Sequence, residues 1–364
     1  MFEVIIKTIT CHKVYNVGAS LQAYALAKYL TDLGHDVEII DYRPEYLSRH
    51  YRLDVVNNPK FDRPFLRKLY LLAKLPGRIK ESKGKRKRNF DEFEKKYLPL
   101  TKNCYCSNED LKKNPPLADV YLAGSDQIWN TLFQTGRDIT FYLDFAPIES
   151  VRASYAASFA TENILEEWKE PIKCWLKNMD FISVRESSGV ELVKELGINY
   201  AKQVMDPVFL LDKSIWEGLA MSGEAETPYL LVYDFDRNSE INEHAKKIAE
   251  ERNLKIYSIF DNSEADCCYT EAGPLEFLGL VRGAEYVISN SFHATAFAII
   301  FEKPFAVFER KEKINTRLKD LIELLGLSKI NNSIEYNKVN LILEKSINES
   351  KKYLEEVTSN CKGC

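Results

Sequence analysis

The sequence predicts an α/β protein made of two doubly wound, parallel-sheet domains. Short β-branched apolar runs alternate with helix-periodic segments along most of the chain. The alternation runs through twice, with a break near Asp206-Pro207. The 364 residues are long for one domain and comfortable for two.

Phe2 to Ile9 alternates and is rich in β-branched residues, so it reads as a strand. Asn16 to Ser20 turns the chain into a helix with Leu21, Ala25, Leu26, Tyr29 and Leu30 on helical spacing, and Gly34 stops it. Val37 to Asp41 is a second strand, which completes the opening of a doubly wound sheet. Residues 44–116 interrupt the pattern and read as an insertion with its own helices. The alternation resumes with strands at Asp119 to Ala123, Ser154 to Ser158 and Phe181 to Val184, and helices at Leu165 to Leu176 and Ser187 to Glu195. The second half offers strands at Tyr229 to Tyr233, Lys255 to Phe260, Tyr286 to Ser289 and Phe305 to Phe308. Helices fall at Ser239 to Glu251, Leu275 to Val281, Phe292 to Phe301 and Leu318 to Leu325, and a last one runs from Lys338 to about Val357. The expected division is 1–210, 211–336 and a C-terminal helix and tail over 337–364.

Composition narrows the function classes. Apolar residues make up 45% and charged residues 29%, as in ordinary globular proteins. No apolar run is long enough to span a bilayer. Met1 to Thr10 lacks the basic start and apolar centre of a signal peptide, so a cytoplasmic location is expected. The eight cysteines do not form an extracellular disulfide pattern in a chain of this size. Cys361 and Cys364 have metal or redox spacing but no second pair, and Cys104, Cys106, Cys267 and Cys268 lie in loop-like stretches. The net charge of −4 is uneven: Arg63 to Arg88 carries eleven Lys or Arg and one acid, Glu81. That stretch suits either a solvated surface helix with a basic loop or contact with an anionic membrane face. The acidic remainder disfavours nucleic acid as a partner.

Ligands of open α/β sheets bind beyond the carboxyl ends of strands, beside helix N-termini, and with two such domains the cleft between them is the expected site. Four segments fit. Asn290, Ser291 and His293 follow a strand and open a helix whose free N–H groups favour an anion, while the imidazole can move a proton near neutral pH. Helix capping by Asn290 or Ser291 around a satisfied histidine is the competing structural reading. Asp126, Gln127, Trp129 and Asn130 follow Gly124, which permits close approach. Asp126 could cap a helix, bind sugar hydroxyls or act as base, and Trp129 could stack on a sugar or sit in the core. Arg185 ends a strand, where it suits a bidentate grip on phosphate or carboxylate, or a plain ion pair. Gly18 and Ser20 form a tight strand-to-helix turn that lacks the GxGxxG and P-loop patterns. Of the other histidines, His12 comes second to His293. No metal cluster is visible.

Gly18 to Leu26, Val37 to Pro44, Gly124 to Asn130, Tyr155 to Phe159, Ser183 to Glu186, Asp206-Pro207 and Ser289 to Ala298, in this order and spacing, resemble the polysaccharide pyruvyl transferase family. The likeness spans about residues 1 to 310. It implies two Rossmann-like domains facing a cleft, arranged as in GT-B glycosyltransferases. It implies phosphoenolpyruvate as donor and co-substrate, with no further cofactor, and a hydroxyl pair of a cell-surface saccharide as acceptor, whether free or lipid-linked. It puts Arg185 and His293 at the donor site. From the residues themselves, Asn290, Ser291, Gly18 and Ser20 are expected at the donor and Gln127, Trp129 and Asn130 at the acceptor, and His293 and Asp126 are expected to carry the chemistry. Many members carry arginine where this chain has Ser291, so donor binding is expected to rest more on Arg185, the helix N-terminus or another cation, or the donor itself is changed. A nucleotide-sugar glycosyltransferase and a non-catalytic glycan binder are the rival readings.

Overall fold

A computed structural model describes residues 3–47, 64–221, 227–312 and 314–360. Within them the chain runs β1 (Ile5–Ile9), α1 (Val17–Asp32), β2 (Asp36–Tyr42), α2 (Pro64–Ser82), α3 (Lys85–Tyr97), β3 (Leu100–Tyr105), α4 (Asn108–Lys113), β4 (Val120–Ala123), β5 (Val151–Ser154), α5 (Glu166–Leu176), β6 (Ser183–Val184), α6 (Ser187–Glu195), β7 (Lys202–Gln203) and α7 (Lys213–Leu219). It continues through β8 (Tyr229–Tyr233), α8 (Ser239–Arg252), β9 (Lys255–Ser258), β10 (Cys267–Cys268), α9 (Pro274–Gly283), β11 (Tyr286–Ser289), α10 (Phe292–Ile300), β12 (Phe305–Val307), α11 (Thr316–Leu324), β13 (Ile330–Asn331) and α12 (Tyr336–Ser359).

Two sheets result. The first has the order β3-β2-β1-β4-β5, all parallel. Bridges from Ala153 to Phe181 and from Ala157 to Val184 lead on to the small parallel pair β6-β7. The second has the order β10-β9-β8-β11-β12-β13, parallel except at β13. Both sheets reverse their strand order beside the first strand of the half, between β1 and β4 and between β8 and β11. Connections leave in opposite directions there and open a crevice at the strand ends. The fold is thus a pair of Rossmann-like lobes, GT-B-like in arrangement.

The lobes share one apolar core. Helix α1 lies between them and is buried along most of its length, because Leu21, Ala23, Tyr24, Ala25, Leu26 and Ala27 give it apolar residues on more than one face. Tyr24 meets Trp216 edge-on at 5.8 Å, and Trp216 meets Phe297 of α10 at 4.9 Å. Helix α12 then ties the lobes together. It starts on the second, where Tyr336 donates to the Lys303 carbonyl at 2.7 Å. It ends on the first, where Tyr353 donates to the Ser154 carbonyl at 2.8 Å and the Ser350 hydroxyl accepts from the Met205 N–H at 2.9 Å.

Three expectations change. The segment 44–116 is not wholly an insertion: β3 is an edge strand of the first sheet, hidden in the sequence because Lys102, Asn103 and Cys104 face solvent. Helix α3 also grips the second lobe, with Arg86 donating to the Ala272 carbonyl at 3.0 Å and Asn89 to the Glu271 carbonyl at 3.0 Å. The strand expected at Ser154 to Ser158 ends at Ser154, because Ala156 takes a left-handed φ of 51° and breaks the ladder. Cys267 and Cys268 form edge strand β10 rather than a loop. Most of α2 stands in solvent, with Leu72 67% exposed. Arg63, Cys361 and Cys364 lie outside the described residues. No helix among the described residues is long and apolar enough to cross a membrane.

Candidate functional site

The two crevices face each other. A cavity of about 90 Å³ is walled on one side by Asn16, Asp126 and Gln127, beyond β1 and β4. On the other side it is walled by Phe235, Asn290, Ser291, Phe292 and His293, beyond β8 and β11, by Arg310 from the chain leading into α11, and by Arg317 from its first turn. Asn16, Asp126 and Gln127 also line a wider groove of about 490 Å³ with Tyr46, Phe133, Gln134 and Thr135. Behind Phe292 a third hollow of about 140 Å³ reaches Arg185, Asp206 and Arg317.

The sequence brings the charged groups together through Asp206. Its Oδ2 lies 3.0 Å from Arg185 Nη2 and 3.5 Å from His293 Nε2, and it accepts from the Ser125 hydroxyl at 3.2 Å. Arg185 also donates to Ser125. Burial opposes ionisation of Asp206, but Arg185 and His293 outweigh it and hold the carboxyl well below the usual carboxylate range. The 3.5 Å contact is an ion-pair distance rather than a formed hydrogen bond, and Nε2 has no hydrogen-bond partner among the described residues. The other edge of the imidazole rests on Gly18: a Cβ there would stand 2.0 Å from Nδ1. Asn16 caps α1 at this point, its side chain accepting from the N–H groups of Gly18 and Ala19 at 2.9 and 3.2 Å.

Cations crowd the same wall. The Phe292 ring carries the Arg185 guanidinium 4.8 Å from its centroid and that of Arg317 at 5.8 Å. Arg185 is 5% exposed and Arg317 8%, yet Nε and Nη1 of the first and Nε of the second have no hydrogen-bond partner among the described residues. Burial and the neighbouring Arg185 charge lower the Arg317 pKa to about 10. Arg317 Nη1 reaches Asp126 Oδ1 at 3.3 Å. Glu186 is fully buried behind them. Burial raises its pKa, against the Ala160 N–H and the charges of Arg317 and Arg185. Such a wall can hold an anion with more than one acidic group beside an imidazole.

His293, Asp126, Gln127, Asn290 and Ser291 therefore border the narrow cavity, and Arg185 lines the adjoining hollow behind Phe292. Asn290 and Ser291 are largely occupied in shaping the cavity. The Asn290 amide donates to Asp234 at 2.6 Å, and the Ser291 hydroxyl caps α10 by accepting from the Ala294 N–H at 3.5 Å. Other expectations fail on geometry. Trp129 is 0% exposed, stacked on Tyr142 at 5.4 Å with its N–H on the Phe141 carbonyl, so it has no face for a sugar. Asn130 is equally buried and spends its side chain on Gln127 and the Leu132 N–H. Gly18 is the seat of His293 rather than a ligand contact, and Ser20 lines none of the three hollows. Asp126 caps no helix: its side chain accepts from the next N–H, and its φ of 79° is left-handed. His12 is paired with Asp41 at 3.2 Å.

Asp206, Arg310, Arg317, Tyr46 and Phe133 did not stand out in the sequence as site residues. One signal for Arg317 was present. It lies in the first turn of α11, where a cation opposes the helix dipole and so calls for another explanation.

The site meets independent comparisons. No curated protein matches the chain. Among solved structures it is similar to the UDP-GlcNAc 2-epimerase from Methanocaldococcus jannaschii, at 13% identity and a TM-score of 0.45, covering 95% of this chain and 93% of that one. It is similar to Arabidopsis thaliana UGT89C1, at 9% and 0.49, covering 99% and 100%. The Escherichia coli heptosyltransferase WaaC is a third, at 11% and 0.38, covering 88% and 99%. The family model for polysaccharide pyruvyl transferase matches residues 16–312, which takes in both crevices and every residue bordering the narrow cavity up to Arg310, and the chain belongs to the polysaccharide pyruvyl transferase family.

Proposed function

We propose that the protein transfers the pyruvyl group of phosphoenolpyruvate to two hydroxyls of a saccharide and forms a pyruvate ketal. One observation carries the reading: a single buried carboxylate oxygen, Asp206 Oδ2, holds a guanidinium and an imidazole together at the mouth of a helix. That pairing suits a small donor with two acidic groups and a carbon to be protonated.

In the proposed reaction Arg185 and the first turn of α10 hold the donor's anionic groups. His293, as imidazolium backed by Asp206, delivers a proton to the methylene carbon. The positive charge develops on the carbon bearing phosphate and carboxylate. A saccharide hydroxyl in the wide groove adds there and gives its proton to Asp126. The carbon–oxygen bond to phosphate then breaks, and its electron pair leaves with the phosphate. The second hydroxyl adds and closes the ketal. The proton taken by Asp126 passes to the departing phosphate, and the proton of the second hydroxyl restores the imidazolium. The groove offers Gln127 and Gln134 for hydroxyls and Tyr46 and Phe133 for a sugar face. A lipid-linked acceptor fits the exposed basic helix α2.

The test is donor competition. The protein is incubated with lipid-linked oligosaccharides and either phosphoenolpyruvate or a panel of nucleotide sugars. Acceptor-dependent release of inorganic phosphate from phosphoenolpyruvate supports the proposal. Release of nucleoside diphosphate instead would point to glycosyl transfer.

A further inference from the structure

We infer that Arg317 is the second anion-binding group of the donor site, and that Asp126 holds it in reserve until a donor arrives. The inference rests on the proposed donor class but concerns a group that class does not by itself require.

Arg185 is already committed to Asp206 and Ser125. One guanidinium that is half engaged is a poor match for a ligand bearing both a phosphate and a carboxylate. Arg317 stands on the same phenyl ring, is 8% exposed, and has no hydrogen-bond partner for Nε among the described residues. Two buried like charges side by side raise the energy of the empty site, and an anion between them relieves it. The position of Arg317 in the first turn of α11 adds to that cost, since the helix dipole disfavours a cation there. Arg310, the other cation on the cavity wall, is paired with Asp236 at 3.4 Å and Glu312 at 3.0 Å.

The counter-charge in direct contact with Arg317 is Asp126, at 3.3 Å, while Glu186 and Asp206 act on it without contact. Asp126 borders both the narrow cavity and the wide groove, and its left-handed backbone holds the carboxylate between them. When Arg317 turns to a donor anion, Asp126 loses its partner and faces the groove as an uncompensated carboxylate. Donor binding thereby prepares the residue proposed to take the acceptor's proton. Donor before acceptor is the resulting order.

The test is a binding cycle on the full chain, titrating phosphoenolpyruvate and, separately, inorganic phosphate by calorimetry. Arg317→Gln is expected to weaken both ligands about tenfold or more. Arg317→Lys, which keeps the charge and loses the fork, is expected to fall between it and wild type, and it carries the test if the Gln variant does not fold. Asp126→Asn is expected to tighten both ligands several-fold in the wild-type background and to have no effect beside Arg317→Gln. If wild type binds phosphate but not phosphoenolpyruvate, and Arg317→Gln loses the phosphate, the donor reading fails and this inference stands. If Arg317→Gln and Arg317→Lys both bind phosphoenolpyruvate as wild type does, the inference is overturned and the donor reading stands. Equal tightening by Asp126→Asn in both backgrounds overturns the reserve role.

Discussion

Gly18→Ala is a one-atom test of whether His293 does the chemistry. Gly18 sits in the first turn of α1, two residues after the Asn16 cap, and is not among the positive-φ glycines, so its backbone accepts alanine. The obstacle is the imidazole. The new Cβ would stand 2.0 Å from Nδ1, 2.4 Å from Cγ and 2.6 Å from Cε1. Ordinary contact begins at 3.4 Å, so the ring must retreat by about 1.4 Å. It cannot do so and keep its place beside Asp206. A misplacement of about 1 Å in a reacting group costs roughly 100-fold in rate. Helix propensity would favour alanine by up to about 1 kcal/mol, so the fold is expected to hold. The assay is phosphate release from phosphoenolpyruvate in the presence of acceptor, with donor affinity measured separately. Turnover is expected to fall about 100-fold with donor affinity changed far less. His293→Ala is expected to lose about 100-fold or more. The double variant is expected to match His293→Ala alone, because both changes act through one ring. Wild-type turnover in Gly18→Ala, or a further large loss in the double variant, would refute the reasoning.

Three further outcomes follow from the geometry. Asp206→Asn leaves Arg185 without its buried counter-charge and is expected to destabilise the protein at pH 7 by about 3–5 kcal/mol. Because the native carboxyl is held below the usual range, its contribution is complete above about pH 4 and is lost as pH falls through the native value. Urea midpoints of wild type and variant should therefore keep a constant gap from pH 7 to about pH 4 and draw together only below it, and a gap that stays unchanged as pH falls further would contradict this. Trp129→Ala is expected to cost about 3–5 kcal/mol of stability, whereas Phe133→Ala, at a ring 43% exposed on the groove, is expected to leave stability alone and raise the acceptor KM up to about tenfold. The reverse pattern would restore Trp129 as a sugar platform. Tyr353→Phe removes the bond from α12 to the Ser154 carbonyl and is expected to lower the unfolding free energy by about 1 kcal/mol, read from denaturant titration.

The elements that frame the site were legible because they obey local rules. Strands β4, β8 and β11 are short apolar runs that give way to Gly124, Asp234 and Asn290 where the chain must turn toward the crevice. These breaks mark Asp126 and His293 as lying beyond strand ends, and Arg185 follows the short strand β6 in the same way. What links them was not legible. Asp206 looked like a boundary marker, since nothing local shows that its carboxylate will be buried between Arg185 and His293. Arg317 stood one residue outside the helix expected at Leu318, and its burial depends on Phe292 from a different element. Trp129 was ambiguous for the same reason. Its partner Tyr142 lies in a short 3₁₀ turn with no periodic pattern, and only tertiary packing closes the indole away from solvent. Edge strand β3 escaped because three successive exposed residues erase the alternation a strand normally shows.

The central claim is that an imidazole protonates the donor's methylene carbon once and that the same carbon skeleton is then transferred as a ketal. The most direct measurement is carbon-13 NMR of the saccharide product after reaction with phosphoenolpyruvate labelled at the methylene carbon, run in deuterated water. The expected product carries a labelled methyl group bearing a single deuteron, on a ketal joined to two sugar oxygens. A product that keeps the vinyl carbon, or labelled pyruvate released with the saccharide unchanged, would contradict the account.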